Sequence, residues 1–170
     1  MLVVMAGLPA SGKSTLAAAL AKVLPAAVLS VDPVEAAMWR AGVVCEQPTG
    51  LAAYVVVGAI GSELLRLGQS VIVDAVNDAQ EARQHWVALA DRHCASLRFI
   101  EVICSDPAVH RRRLAAYDRA ADDVRRPTWS SVQARRPAFE SWDEDRLVLD
   151  SMEPASQNLQ RAIDYVRRAG

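Results

Sequence analysis

The chain has 170 residues and a formal net charge of −1, and 52% of its residues are hydrophobic against 23% charged. This length fits one domain with a sizeable core, and the composition excludes a disordered or fibrous chain. The balanced charge provides no overall field that would draw the protein to nucleic acid or to a membrane surface.

The cysteines and the N-terminal segment bear on the cellular compartment. Cys45, Cys94 and Cys104 are odd in number and lack metal-ligand spacing, which favours reduced thiols in a cytosolic protein. No basic segment precedes the first apolar run, so no signal peptide is expected. The longest apolar stretch, residues 51–60, is too short to span a bilayer. We therefore expect a cytoplasmic protein with no membrane partner.

Short apolar runs alternate with helical segments along the chain. The predicted strands are residues 2–6, 27–31, 71–74, 97–104 and 146–150. The predicted helices cover residues 15–24, 33–40, 49–67 and 154–168, with one more capped by Asn77 or Asp78 and one begun by Asp106 and Pro107. This alternation predicts a single α/β domain over residues 1–170, with a five-stranded parallel sheet and helices on both faces.

A glycine-rich segment separates the first predicted strand from the first helix and matches G-x-x-x-x-G-K-[ST]. Its residues are Gly7, Leu8, Pro9, Ala10, Ser11, Gly12, Lys13, Ser14 and Thr15. Glycines let successive backbone N–H groups converge on phosphate oxygens, and the helix that follows adds its positive end. Lys13 can reach the β- and γ-phosphates, and the hydroxyl of Ser14 suits Mg²⁺. The motif in this context predicts a loop that binds the phosphates of a nucleotide, with Mg²⁺ beside Ser14.

Two aspartates follow strands that end at the same edge of the predicted sheet, where ligands gather. Asp32 comes next to the phosphate loop and can accept a proton from a hydroxyl that attacks the γ-phosphate, or it can cap the helix that begins at Pro33. Asp74 ends a Val-Ile-Val-Asp run, the Walker B pattern, and is expected to hold Mg²⁺ opposite Ser14; the alternative is a turn residue.

Eight arginines cluster between residues 111 and 136. A part of this region, residues 118–137, has no predicted strand and is interpreted as a lid. Arginines that fold over a transferred phosphoryl group stabilise the charge on its oxygens. We select Arg113 and Arg119 for this role and expect the others to be solvated. Interleaved acidic residues argue against the rival interpretation, a nucleic-acid footprint.

The histidines and tryptophans carry no further site pattern. The three histidines share no metal spacing, so surface or helix-face positions are expected for them. The four tryptophans are expected to pack in the core or lid, except that Trp39 follows Asp32 on a short helix where an acceptor would rest. The acceptor pocket is predicted from this helix and residues 43–54.

These motifs together resemble the family of small P-loop kinases that includes polynucleotide kinase, zeta toxin and chloramphenicol phosphotransferase. The matching segments span nearly the whole chain: residues 7–15, 29–32, 71–77, and 104–107 with the arginine helix that follows. The resemblance implies a three-layer α/β/α P-loop NTPase fold, ATP as co-substrate, Mg²⁺ as metal, Asp32 as general base, and the arginine segment as lid. Ala75 and Val76 replace the threonine-bearing version of polynucleotide kinases, which weakens the case for a nucleic-acid acceptor.

The expected function is therefore transfer of the γ-phosphate of ATP to a hydroxyl of a small molecule. Two alternatives remain open at this stage. One is a kinase acting on polynucleotide 5′-hydroxyl ends, and the other is a nucleotide-dependent switch or binding module in which ATP orders the lid for a protein partner. An apolar surface patch near residues 119–137, with no acceptor site beside Asp32, would favour the switch.

Overall fold

The computed structural model describes residues 1–44, 47–116, 127–140, 142 and 145–168. A sheet of five parallel strands lies at its centre, as the sequence predicts. The strands are β1 (Leu2–Ala6), β2 (Ala26–Ser30), β3 (Ser70–Asp74), β4 (Leu97–Ile103) and β5 (Arg146–Asp150). Their spatial order is β2-β3-β1-β4-β5. The connection from β1 to β2 and the connection from β3 to β4 run in opposite directions across the sheet. The topological switch point therefore lies between the carboxyl ends of β1 and β3.

Helices connect these strands and cover the sheet. They are α1 (Lys13–Ala21), α2 (Val31–Arg40), α3 (Thr49–Arg66), α4 (Gln80–Arg92), α5 (Pro107–Ala115), α6 (Trp129–Arg135), α7 (Pro137–Glu140) and α8 (Ala155–Arg167). The two short helices α6 and α7 fall where the sequence predicts only lid.

Two apolar layers pack on the two faces of the sheet and account for the three-layer arrangement. Alternate residues of β1 point to opposite faces, so Val3 and Met5 contact α1 and α8 while Leu2 and Val4 face α2, α3 and α4. All five residues of β1 are buried. A central strand covered on both faces requires a continuous apolar run, which is why the segment before the loop contains no polar residue.

Helix α3 is long and apolar enough, at 18 residues, to cross a membrane by length and composition alone. Within the domain, one side of this helix, with Ala53, Val57 and Leu65, is buried in the apolar layer beneath the sheet. Packing in the core therefore explains the apolar residues on this side of the helix, whereas Leu51 and Val55 on the other side are exposed.

The structure corrects two predictions of helix starts. Helix α2 begins at Val31, with Ser30 at its N-cap position, so Asp32 lies inside the first turn and is not the cap. Helix α4 begins at Gln80, and neither Asn77 nor Asp78 caps it. Asn77 is instead fully buried with φ 55°, where its amide binds two distant elements. Its side-chain oxygen accepts from Trp86 Nε1 and not from the N–H groups at the start of α4.

Candidate nucleotide and acceptor site

The segment from Gly7 to Gly12 forms a tight loop between β1 and α1, at the switch point of the sheet. Gly7 and Gly12 have φ 139° and 109°, and Ala10 has φ 63°. Gly12 is the N-cap of α1, and no side chain caps this end. The first N–H groups of α1 therefore have no side-chain acceptor of their own, which is the arrangement that binds a phosphate group.

Gly7 can carry no side chain, because a Cβ atom there would collide with the carbonyl oxygen of Val102. We expect Gly7→Ala to lower the free energy of unfolding by more than about 2 kcal/mol, from the collision together with the positive φ. Chemical denaturation measures this loss. Gly42→Ala is the matched control, since Gly42 has φ 92° with no atom within 4 Å of the added Cβ. Equal losses in the two variants would contradict the close approach at Gly7.

A cavity of about 580 Å³ opens beside the loop, on the side of α1. Gly12, Lys13 and Ser14 line it together with the loop after β5. Lys13 is only 3% exposed, and no side chain in the described part of the protein forms an ion pair or hydrogen bond with it. The ammonium group faces this cavity with no anion of the described protein beside it. This side chain therefore favours an anionic ligand on the loop.

Asp150 shapes the far wall of this larger cavity. Its carboxylate accepts hydrogen bonds from the backbone N–H groups of Ser105 (3.2 Å) and Met152 (3.0 Å). Burial alone would raise the pKa of Asp150, but the hydrogen bonds from Ser105 and Met152 outweigh it and lower the pKa below its ordinary value. The carboxylate thereby holds the turn that brings Ser151 to the cavity.

Arg113 lies in the wall of this larger cavity and not in the cavity that contains Asp32. Its guanidinium donates to Ser151 Oγ at 2.7 Å and to the Ser151 carbonyl at 3.3 Å. Arg119, the other selected arginine, lies outside the described residues, as do residues 118–126 of the predicted lid. The described part of the lid forms α6, where Val132 is fully buried and Arg135 Nε lies 3.6 Å from Asp78 Oδ2.

A second cavity, of about 390 Å³, lies on the other side of the loop and contains Asp32. Pro9 of the loop, Glu35 and Trp39 of α2, Tyr54 of α3 and residues of α6 line it. This is where the sequence predicts an acceptor pocket, between the helix after Asp32 and residues 43–54. The loop contributes residues to both cavities, so a ligand held on it borders each of them.

Asp74 ends β3 beside β1, as predicted, and is 7% exposed. Ser30 Oγ donates to its Oδ2 at 3.3 Å, whereas its Oδ1 is buried without a hydrogen-bond partner. No group of three or more His, Cys, Asp or Glu that could hold a metal occurs among the described residues. Mg²⁺ is commonly held by one or two protein oxygens plus phosphates and water, so Ser14 and Asp74 with its unpaired oxygen fit this ion.

Asn77 forms hydrogen bonds both with β1 and with Tyr54, which lines the smaller cavity. The local sequence does not reveal these contacts. Asn77 Nδ2 donates to the Met5 carbonyl at 2.7 Å, and its Oδ1 accepts from Trp86 Nε1 at 2.8 Å. The Asn77 N–H donates to the Tyr54 hydroxyl oxygen at 3.2 Å. Burial raises the pKa of Tyr54 to about 12, so this hydroxyl stays neutral and is excluded as a general base at neutral pH.

His110 lies on the buried face of α5, one of the two kinds of position expected for the histidines, and supports the loop from behind. It is 1% exposed, and its Nε2 lies 2.8 Å from the Pro9 carbonyl oxygen. Its ring also packs edge-on against Trp129 of α6, with ring centroids 5.4 Å apart. His110 therefore connects the phosphate loop to the described part of the lid.

Ser11, His110 and Arg136 line a small cavity of about 70 Å³ behind the loop, and each has a buried polar atom without a partner: Ser11 Oγ, His110 Nδ1 and Arg136 Nε. A cavity of this size has room for water, which would satisfy those of the three atoms that face it.

We expect His110→Ala to weaken ATP binding about tenfold and to lower the free energy of unfolding by about 1–3 kcal/mol, because the Pro9 carbonyl loses a buried partner. Calorimetric titration with ATP and denaturant unfolding measure the two effects. His93→Ala is the control, since His93 also makes a side-chain hydrogen bond, to Ser62 Oγ at 2.7 Å, but lies away from the loop. Unchanged ATP affinity in His110→Ala would show that the histidine has no influence on the loop.

Comparison with known proteins agrees with this geometry. A family model, AAA_33, described as an AAA domain, matches residues 2–139. A putative kinase from Chloroflexus aurantiacus superposes with a TM-score of 0.75 at 19% identity, covering 98% of this chain and 95% of that one. Kti12 from Chaetomium thermophilum, in complex with ADP-AlF3, superposes with a TM-score of 0.71 at 19% identity, covering 100% of both chains.

A third similar structure is the APS kinase CysC of Mycobacterium tuberculosis in complex with AMPPNP and APS. It superposes with a TM-score of 0.68 at 17% identity, covering 98% of this chain and 97% of that one. No curated protein matches the chain in sequence.

The parallel sheet order, the glycine-rich loop with Lys13 at the switch point and Asp74 at the end of β3 define a P-loop NTPase fold. The protein belongs to the AAA_33 family, whose model spans residues 2–139.

Proposed function

We propose that the protein is an ATP-dependent phosphotransferase that moves the γ-phosphate of ATP to a hydroxyl group of a small molecule, in the cytoplasm. The observation that carries this proposal is the placement of two cavities on opposite sides of one phosphate loop, with Asp32 in the smaller. ATP would occupy the larger cavity with its triphosphate on the loop, and the acceptor would occupy the smaller one.

The proposed step is direct, in-line transfer. Asp32 accepts the proton of the acceptor hydroxyl as its oxygen forms a bond to the γ-phosphorus. The bond from that phosphorus to the bridging oxygen breaks, and ADP leaves. Lys13 and the loop N–H groups hold the phosphate oxygens, and arginines of the lid stabilise the charge that spreads over them. Mg²⁺, held by Ser14 and Asp74, would neutralise charge on the β- and γ-phosphates.

Two features of the smaller cavity support an enzyme rather than a binding module. The first is the cavity beside Asp32, because the absence of an acceptor site there would have favoured the switch. Glu35 and Trp39 line it as polar and aromatic groups of the kind that orient a small ligand. Residues 119–126, part of the segment 119–137 where the switch requires an apolar patch, lie outside the described residues.

A screen tests the proposal most directly. Purified protein with ATP and Mg²⁺ would be offered hydroxylated metabolites, antibiotics and a 5′-hydroxyl oligonucleotide, with ADP release as the readout and mass spectrometry to identify the product. The proposal expects a phosphorylated small molecule. Phosphorylation of the oligonucleotide alone, weakening steeply with salt, would instead indicate the polynucleotide kinase alternative.

A further inference from the structure

The cavity beside Asp32 is rich in negative charge, and this bears on which acceptors it can hold. Its described lining residues include the carboxylates of Asp32, Glu35 and Asp78 and the guanidinium of Arg135. Arg135 Nε lies 3.6 Å from Asp78 Oδ2. That this cavity receives the acceptor rests on the proposed function.

Glu35 is fixed by a chain of hydrogen bonds that runs in one direction. Trp39 Nε1 donates to Thr49 Oγ1 at 3.0 Å, and Thr49 Oγ1 donates to Glu35 Oε1 at 2.8 Å. An indole N–H can only donate a hydrogen bond and a carboxylate can only accept one. The threonine hydroxyl therefore accepts from Trp39 and donates to Glu35. The carboxylate is therefore oriented as an acceptor before any ligand arrives.

The second oxygen of Glu35 remains available for a ligand. Its Oε2 makes no hydrogen bond with any residue in the described ranges. Thr49, the middle residue of the hydrogen-bonded chain that holds the other oxygen, is 2% exposed and is therefore shielded from water. A half-buried carboxylate with one oxygen anchored and one unused is a recognition group for a ligand donor.

Tyr54 supplies the cavity with a neutral donor that complements these acceptors. Its oxygen accepts from the Asn77 N–H, which leaves the hydroxyl proton available to a ligand oxygen. The described wall thus offers one neutral hydroxyl donor and several carboxylate acceptors, a set that matches alcohol and ammonium groups better than carboxylate or phosphate groups.

We infer that the acceptor is an alcohol without negative charge that donates a hydrogen bond, from an ammonium or a further hydroxyl group, to Glu35. An anionic acceptor would place its charge beside the unused Oε2 of Glu35, and Arg135, the cation among the described lining residues, lies against Asp78. Glu35 is on this account a specificity-determining residue, and Trp39 and Thr49 are positioning residues.

A matched series of acceptors separates charge from shape. Gluconate, sorbitol and 1-amino-1-deoxysorbitol share one polyol chain and differ at a single carbon, which bears a carboxylate, a hydroxyl and an ammonium group respectively. These compounds would join a panel of hydroxylated compounds divided equally into anionic, neutral and cationic classes, with kcat/KM measured by ADP release. The best acceptors are expected to be neutral or cationic, with kcat/KM at least about tenfold above those of anionic analogues.

Glu35→Gln tests the residue itself, because glutamine keeps an oxygen for Thr49 but removes the charge. We expect kcat/KM for an ammonium-bearing acceptor to fall about 10–100-fold, and that for a neutral one to fall less, while the ATP dissociation constant and Tm stay unchanged. Glu63→Gln is the control, since Glu63 is exposed on α3 and pairs only with Arg66. A purely structural role of Glu35 would instead lower Tm and affect all acceptors equally.

Three results would overturn the inference and can be told apart. Anionic compounds as the best acceptors would contradict the charge argument but leave the proposed function intact. Unchanged kcat/KM in Glu35→Gln with a non-anionic acceptor would remove the role of this residue. Protein that binds ATP but phosphorylates no compound of any class would contradict the proposed function and the inference with it.

Discussion

Replacing Lys13 with alanine is expected to abolish phosphoryl transfer, with kcat at least about 10²–10³-fold lower, because the loop loses the positive charge that holds the β- and γ-phosphates. Lys13 is buried without an anionic partner among the described residues. Its removal from the ligand-free protein therefore breaks no ion pair with these residues, and Tm is expected to stay the same or rise. Transfer assays and thermal unfolding without nucleotide measure the two effects together.

Lys22→Ala is the natural control for this variant, since Lys22 is the only other lysine in the chain and is exposed. It is expected to retain full activity and the same Tm. A Lys13→Ala protein that transferred phosphate at the normal rate would show that the loop does not hold the nucleotide. A large fall in Tm would show that Lys13 has a structural partner instead.

Replacing Asp32 with asparagine is expected to lower kcat about 10²–10⁴-fold while the ATP dissociation constant changes less than about threefold. The asparagine side chain has nearly the same shape but cannot take the proton of the acceptor hydroxyl. Because Asp32 lines the smaller cavity and the nucleotide is assigned to the larger, the loss should appear in turnover and not in ATP binding. Single-turnover assays and calorimetric titration with ATP separate the two.

Asp78→Asn is the matched comparison, because Asp78 lines the same cavity but is paired with Arg135. Its kcat is expected to fall less than about tenfold, from the changed cavity charge alone. Similar losses in both variants would show that the charge of the cavity matters and that Asp32 has no special role. Full activity in Asp32→Asn would assign the proton transfer to another group.

The parts of the site that the sequence predicts are those that local chemistry determines. The strand before the loop, the phosphate-binding motif and the end of β3 at Asp74 depend on residues close together in the chain. Asp106 is a further example: it caps α5 as predicted, with its carboxylate accepting from Ala108 and Val109, because a cap acts within three residues.

The parts that the sequence does not reveal depend on contacts between distant segments. Asn77 is read locally as a helix cap, but its amide binds the Met5 carbonyl, 72 residues away in the chain. His110 reaches Pro9 across 101 residues. The role of Glu35 depends on its relay through Trp39 and Thr49, and only the folded arrangement brings Thr49 to it. Neither periodicity nor motif spacing contains these pairings.

The position of Arg113 relative to the two cavities also depends on contacts between distant segments of the chain. The sequence predicts an acceptor pocket near Asp32 but selects Arg113 as a phosphate-stabilising arginine. In the structure, Arg113 is bound to Ser151 after β5, in the wall of the larger cavity. The helical spacing of the arginines determines which face of α5 each one occupies, but not which cavity that face borders.

A crystal structure with a non-hydrolysable ATP analogue and Mg²⁺ tests the central claim most directly. The account predicts that the triphosphate lies on the loop of residues 7–15, with the base in the cavity bordered by Arg113 and Ser151 and the terminal phosphate turned toward Asp32. A base bound in the cavity beside Asp32, or a triphosphate bound away from the loop, would contradict it.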